Sequence, residues 1–570
     1  MFEDFKDLRF TSWFELNEFL HNLQNKPPVN NRKESYKSFL KRIERSGIAF
    51  ITFEYGIDGV STEIAKYITL VHKILPKVDI HLIGGEFDER FDMAIKEKYR
   101  HFTVPGMAGF AKWKLFDLFF HTKLQRGEKQ YDNLLKQLWE DTIYLSLQIG
   151  TYITQHGIQL LYVVNTNSNP GNVSLALALV LISSYLDVPV ISNNHDFYWE
   201  AGKSEIDIKY QGTKHGPRDH FFTNSHLPEI FSVIEMLYPW KAKNWLALNI
   251  NYRQSDLLVN KFDYEPAATG VIGTAIDMQK FKPLDDEERK RDILCQVKQL
   301  IADRKGELRS ISIEKVLKNK EMQKTPYPFI TGLKDNINFD ICSDNLLILQ
   351  PTRIIERKRI ELDFLLISAL LENSRFNSWL RSGKIENIVL MITGPILKGH
   401  EEYFTFLLKE FQRMLLAVEL EFVPRIFLSF LFSKLDKPAY IRKEVKPLKI
   451  QDLFQLASLV TLPSETEGRG LPIIEACACE TPIIAHRYYP ESVYAWLVGE
   501  HLPSKFRLRP IEFEDRLDTS VIDEVVEHLV KCRKWQLRHN SLVIKKRYCF
   551  PLLQNDLEAA LEKLYLQLKR

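Results

Sequence analysis

The chain has 570 residues, 45% of them hydrophobic and 26% charged. That is room for two to four domains of roughly 100–200 residues, and it excludes both a small stapled module and wholesale disorder. Lys and Arg number 77 against 74 Asp and Glu, a net charge of +3, so charge gives no case for nucleic acid as the main partner.

In chain order, MFEDFKDLRF carries acids and no continuous apolar core, unlike a secretory signal. Residues 1–46 read as helix and loop. GIAFITFEYG (47–56) has strand length, DGVSTEIAKYITLVHKIL (58–75) has apolar residues three and four apart, and VDIHLIGG (78–85) is a second strand, so the three make a strand–helix–strand unit. The aromatic-rich stretch 86–150 is largely helical. IQLLYVVNTN (158–167) resumes the alternation. VSLALALVLISSYLDVPVIS (173–192) contains an apolar run of about 13 residues, short of the ~20 a spanning helix needs, and reads as a buried helix followed by a strand. HFFTNS (220–225) and PAATGVIGTAID (266–277) read as later strands. Residues 1–283 therefore form a Rossmann-like domain.

Residues 284–340, dense in charge, read as a mostly helical connector or insertion. Strands then recur at 345–350, 386–394, 425–430, 458–464 and 481–486 with helices between them, giving a second Rossmann-like domain over 341–550 and an amphipathic helix at 551–570. The expected class is α/β, two doubly wound domains facing a central cleft. The six cysteines form no paired CxxC framework and fit free thiols in a reducing compartment. Cys477 and Cys479 fall in an apolar helical pattern and read as structural.

The chemistry concentrates in PSETEGRGLPIIEACACETP (463–482). Gly468-Arg469-Gly470 is a tight loop opening a helix at Leu471, where backbone N–H groups and the helix dipole suit an anion. Glu467 on the loop and Glu475 one turn into the helix can face one ligand; two glutamates that merely face water are the alternative. In LILQPTRIIERKRIELDFLL (347–366), Arg353 and Lys358 follow a strand and suit a diphosphate, a guanidinium fork on one phosphate and an ammonium on the other. The alternative is a solvated cluster around Arg357, Lys358 and Arg359. His195 and Asp196 end a strand of the first domain, and Gly59 follows the first strand.

Pro463, Ser464, Glu467, Gly468, Gly470, Pro472, Glu475 and Ala476 together resemble the donor signature of the retaining group 1 (family 4) glycosyltransferases, which have the two-domain GT-B fold. Arg353 and Lys358 have that family's spacing, MITGP (391–395) resembles its strand–glycine turn at Gly394, and His195 lies where it has a histidine near the reaction centre. Arg359 and Glu480 depart from it, standing where the family usually or often has glycine. VIGTAIDMQKF (271–281) resembles its hinge in location only, and there Ala275 and Thr274 replace its usual glycine and asparagine.

The resemblance implies a hexosyltransferase that uses a nucleotide diphosphate sugar and retains anomeric configuration. Arg353 and Lys358 would face the diphosphate, Glu467 the sugar and Glu475 the ribose. Gly468, Arg469, Gly470 and Leu471 would line the donor loop, with Gly394 and Gly59 near it and His195 at the reaction centre. No cofactor and no metal are expected. The acceptor is left open among small molecules, polysaccharides and lipid-linked compounds, and nucleic acid is not expected. A cytoplasmic setting is expected, with peripheral membrane contact through aromatics such as Phe110, Trp113, Phe116, Phe119 and Phe120 set against an ordinary core. A non-catalytic nucleotide-sugar-binding protein and another GT-B enzyme, such as a nucleotide-sugar epimerase, are the rival readings.

Overall fold

The computed structural model describes residues 8–26, 34–56, 59–88, 93–200, 223–224, 226–302, 307–319, 328–394, 396, 400–431, 448–514 and 516–569. The chain divides into two units, Met1–Ala275 with Phe550–Arg570, and Ile276–Cys549.

The first unit is built on seven strands, β1 (Gly47–Ile51), β2 (Asp79–Gly84), β3 (Arg100–Thr103), β4 (Ile158–Val164), β5 (Val190–Asn194), β6 (Trp245–Asn249) and β7 (Thr269–Val271). They run in the order β3-β2-β1-β4-β5-β6-β7 with every pair parallel. Continuous apolar runs such as GIAFI are buried on both faces, as a helix-covered parallel sheet requires. The long apolar stretch is a helix, Val173–Leu186, buried without a break from Val173 to Ser183. Asn172 caps it by accepting from the Leu175 N–H, and Asp187 ends it in the left-handed region.

The second sheet holds β8 (Ile311–Ser312), β9 (Phe329–Gly332), β10 (Leu346–Gln350), β11 (Ile388–Ile392), β12 (Ile426–Phe430), β13 (Leu459–Leu462), β14 (Ile483–His486) and β15 (Ile511–Phe513). Its order is β15-β14-β13-β10-β11-β12-β9-β8, parallel except where β9 meets β12. Both sheets are doubly wound, as expected from the sequence.

Several elements differ from the sequence reading. Residues 284–340 are not a separate connector. The helix Glu287–Ile301 is present, but β8 and β9 extend the second sheet. Phe329-Ile330-Thr331-Gly332 is fully buried, a short strand whose signal the charged residues around it obscured. The units divide after Ala275 rather than at 283. The terminal helix, Phe550–Lys569, joins the first unit: Leu553, Leu557, Ala560, Leu561 and Leu564 share a core with Ile64 and Ile68 of the helix Gly59–Ile74. β3 escaped notice because it is a polar edge strand, Arg-His-Phe-Thr. The expected strand 220–225 lies outside the described residues apart from Thr223 and Asn224, which sit in a helical turn.

Trp113, Phe116, Phe119 and Phe120 are buried in the first unit's core and Phe110 packs against it, so these aromatics are core rather than a surface for lipid. Among the described residues, no helix is long and apolar enough to cross a membrane.

Candidate functional site

In the second unit the strand order reverses between β10 and β13, which lie side by side. The carboxyl ends of strands at such a reversal open a crevice that ligands use. β10 delivers Pro351, Thr352 and Arg353, then a turn Glu356–Lys358 and the helix Glu361–Glu372; β13 delivers the loop 463–470 and the helix Leu471–Ala478.

The two exit loops are laced together. Glu465 N–H donates to Arg357 O at 2.8 Å, and Arg357 Nη1 donates to Thr466 O at 2.8 Å. Tyr489 N–H donates to Glu465 O at 2.8 Å and Glu467 N–H to Tyr489 O at 3.1 Å. Inside this lacing the Lys358 ammonium donates to the Glu467 carboxylate, with side chains only 8% and 12% exposed. Burial pulls Lys358 down to about 8, against the attraction of Glu467. Burial pushes the Glu467 carboxyl up, but Lys358 and Arg357 outweigh it and hold it below its usual range. The sequence placed Lys358 on phosphate and Glu467 on sugar as separate groups; the structure joins them as one pair. Arg353 is exposed at the mouth of the β10 loop.

Gly394, at the end of β11, serves packing. A Cβ there would lie 2.1 Å from Thr352 O and 2.4 Å from Arg353 Cα, so glycine lets the Arg353 loop pass. Gly470 caps the helix Leu471–Ala478 with φ +74°, and a Cβ on it would lie 2.4 Å from Tyr488 Oη. That hydroxyl donates to Arg469 O at 3.2 Å, fixing the loop's exit. No side chain caps the helix, so its first-turn N–H groups and dipole face the loop. Gly468, Leu471 and Glu475 are half-buried and Arg469 is buried. At the two departures from the resembled signature the backbone is what a glycine would adopt: Arg359 has φ +48° and Glu480 φ +57°. Arg359 Nε donates to Glu361 Oε1 at 2.6 Å, Tyr403 Oη donates to Glu361 Oε2 at 2.7 Å, and Ile360 N–H donates to Tyr403 Oη at 2.8 Å, which holds that turn.

His195 and Gly59 belong to the first unit. His195 N–H donates to Asn165 Oδ1 at 3.0 Å and its Nε2 lies 3.0 Å from Asn193 Oδ1, so a network of buried asparagines orients it at the end of β5. Gly59 opens the helix after β1; a Cβ there would meet nothing, so no close approach of the chain requires glycine at this position.

Sequence reasoning missed Tyr488, Arg357 as the loop tie, and Asp363. Nothing in their spacing marks them: Arg357 reaches Thr466, 109 residues on, while Tyr488 and Asp363 meet Arg469 and Gln350, 19 and 13 residues back, across a loop or a strand exit. Asp363, 2% exposed, accepts from Gln350 Nε2 at 3.2 Å directly beneath the site. Burial pushes its carboxyl up to about 8, against hydrogen bonds from Thr461 and Gln350. Its folded value exceeds its unfolded one, so its contribution to stability is full at low pH and is lost as pH rises toward 8. Asp363→Asn should abolish that loss, worth up to about 1.4 kcal/mol per pH unit between roughly pH 4 and 8. Denaturant unfolding of both proteins at the two ends of the window checks it; parallel pH profiles would refute the assignment.

Cys477 and Cys479 are buried and free, and burial pushes Cys477 up to about 12, as structural thiols would be. Cys342, Asp344 and Glu386 place ligand atoms within 4.8 Å of one another, a grouping the sequence had not suggested. It sits at the amino ends of β10 and β11, away from Lys358, and two of its three members are exposed.

Residues 440–496 match the model of the family Glycosyl transferases group 1. The match spans β13, the glycine loop, both glutamates and Tyr488. No curated protein matches the chain in sequence. Among solved structures, the sucrose-phosphate synthase of Thermosynechococcus elongatus is 11% identical over 92% of this chain and 100% of its own, with a TM-score of 0.51. The UDP-forming α,α-trehalose-phosphate synthase of Burkholderia xenovorans is 12% identical over 91% and 99%, with a TM-score of 0.50. At these identities the likeness is one of fold, and it takes in both units: the chain has the two Rossmann-like domains of the GT-B type.

Proposed function

We propose that the chain is a glycosyltransferase that moves a hexosyl group from a nucleotide diphosphate sugar to an acceptor hydroxyl with retention of anomeric configuration. The observation that carries this reading is the buried Lys358–Glu467 pair beside exposed Arg353, at a strand-order reversal and next to an uncapped helix N-terminus. The family match over the same loop supports it, as does the UDP-forming activity named for the trehalose-phosphate synthase that shares the fold.

In this reading Arg353 and Lys358 neutralise the charge that grows on the departing diphosphate. Glu467 keeps Lys358 charged and placed, and meets the sugar hydroxyls. N–H groups around Gly470 and Leu471 hold phosphate or sugar oxygens, and Glu475 accepts from the ribose hydroxyls. His195 is the first unit's candidate site residue, on the resemblance of its position to the family's histidine. The cations do the work a metal does elsewhere, so no metal is required, and a chelator should leave turnover unchanged. The diphosphate itself takes the acceptor proton on the front face, which gives retention.

The test is a panel of nucleotide sugars by thermal shift, followed by nucleotide release with and without acceptor. A binder at tens of times its Kd should stabilise the fold by about 2 kcal/mol. Glu475→Gln should weaken both nucleotide sugar and free nucleotide diphosphate by calorimetry. Binding without acceptor-dependent release would mark a non-catalytic binder, and an inverted anomeric coupling by NMR would overturn the mechanism.

A further inference from the structure

The helix Lys534–Arg547 contains no Asp or Glu. Its inner face, including Val543 and Ile544, packs in one core with Ile473, Ile474 and Cys477 of the helix that follows the glycine loop. Its outer face exposes Lys534, Trp535, Arg538, Leu542, Lys545 and Lys546. At about 100° per residue these fall within roughly a third of the circumference. Trp535 is 60% exposed and Leu542 54%.

The segment 504–510, which leads into β15, widens this face. Arg509 N–H donates to Asn540 Oδ1 at 2.8 Å and Gln536 Nε2 donates to Arg509 O at 3.1 Å. That brings Lys505 and Arg507 alongside and places the Arg509 guanidinium 5.6 Å from the Trp535 ring centre. Among the described residues, none of these cations pairs with a carboxylate. Just upstream the habit is the reverse, with Lys531 and Arg533 bound to Glu527. Glu500, the acid that feels Arg507, is held by Arg487.

We propose that this face docks the protein on an anionic lipid surface. Unpaired lysines are drawn to the negative potential of anionic headgroups. Tryptophan flanked by lysines is a side chain suited to the headgroup level, and leucine beside it gains from burial there. In a chain with nearly equal numbers of cations and anions, this face sets cations without a carboxylate partner around two exposed apolar side chains, Trp535 and Leu542, which is the charge complement of such a surface. Single-stranded nucleic acid fits less well: Arg509 already covers the Trp535 face on which a base would stack, and Leu542 offers nothing to a phosphate backbone.

The full chain should co-sediment with vesicles of phosphatidylcholine and phosphatidylglycerol, should release at high salt, and should ignore phosphatidylcholine alone. Each lysine at such a surface is worth about fivefold in partitioning. Lys534→Gln, Lys545→Gln and Lys546→Gln together should therefore cost roughly a hundredfold, while the same three changes to Arg keep binding and control for folding. Trp535→Ser should weaken binding without changing its salt dependence. Equal binding to uncharged vesicles, no loss in the glutamine variant, or binding of RNA with vesicles ignored would each overturn the proposal.

Discussion

Arg353→Ala and Lys358→Ala should both lower turnover by about two to three orders of magnitude, the usual cost of removing a group that meets developing charge, yet only the second should weaken the fold. Arg353 is exposed and takes no part in the lacing, so its loss leaves the structure as it was. Lys358 neutralises Glu467 inside the loops. Truncating it strands a buried carboxylate, at about 3 kcal/mol or more. The sequence alone treats the two cations as equivalent; burial separates them. Denaturant unfolding beside steady-state rates reads the difference, and the double variant Lys358→Ala, Glu467→Gln should recover stability without recovering activity. The same burial sets the pH limit. Lys358 is pulled below its free value to about 8, so its charge is lost as pH rises through that point and kcat/KM should fall above it. Glu467→Gln removes the attraction that opposes burial and should move this limb to lower pH. An unmoved limb would detach Lys358 from the rate.

Gly470→Ala should be nearly as damaging, through geometry rather than charge. A left-handed backbone costs an L-residue roughly 1–2 kcal/mol, and the new methyl group would meet the Tyr488 hydroxyl at 2.4 Å. Tyr488 is fully buried and cannot swing away. The helix start must shift, taking with it the N–H groups proposed to meet the donor, so nucleotide affinity should fall at least about tenfold, some 1.4 kcal/mol, together with stability. Tyr488→Phe removes the atom struck first and should restore part of the affinity in the double variant. Calorimetry with nucleotide diphosphate decides it; affinity unchanged in Gly470→Ala would mean the loop holds no ligand.

The second unit was legible where local pattern and chemistry coincide. Glu467, the glycine loop and Glu475 fall within one short stretch, and the apolar runs of β10, β11, β12, β13 and β14 are plain in sequence. What escaped are contacts between distant segments. Lys358 and Glu467 are 109 residues apart, and no spacing reveals that they form a buried ion pair. Gly394 looked like part of a ligand turn, but its neighbours are the backbone atoms of Thr352 and Arg353. β3 was hidden because a polar edge strand has no apolar alternation to read, and β9 because a four-residue strand with only Phe329 and Ile330 strongly apolar is short against the charge around it. Arg359 and Glu480 looked like departures from a glycine pattern. The structure keeps the left-handed turn at both, so the geometry outlasted the residue type.

The return of Phe550–Lys569 to the first unit bears on how the protein comes off the ribosome. The groove formed by Ile64 and Ile68 has its covering helix at the far end of the chain, so the first domain's core stays open until all of Ile276–Cys549 has been made. At about 5–20 residues per second that is a wait of tens of seconds with apolar surface uncovered. The second unit, continuous in the chain, is complete before the first. The order of synthesis thus makes the domain that begins the chain the last to close, and leaves it dependent on whatever shields that groove in the meantime.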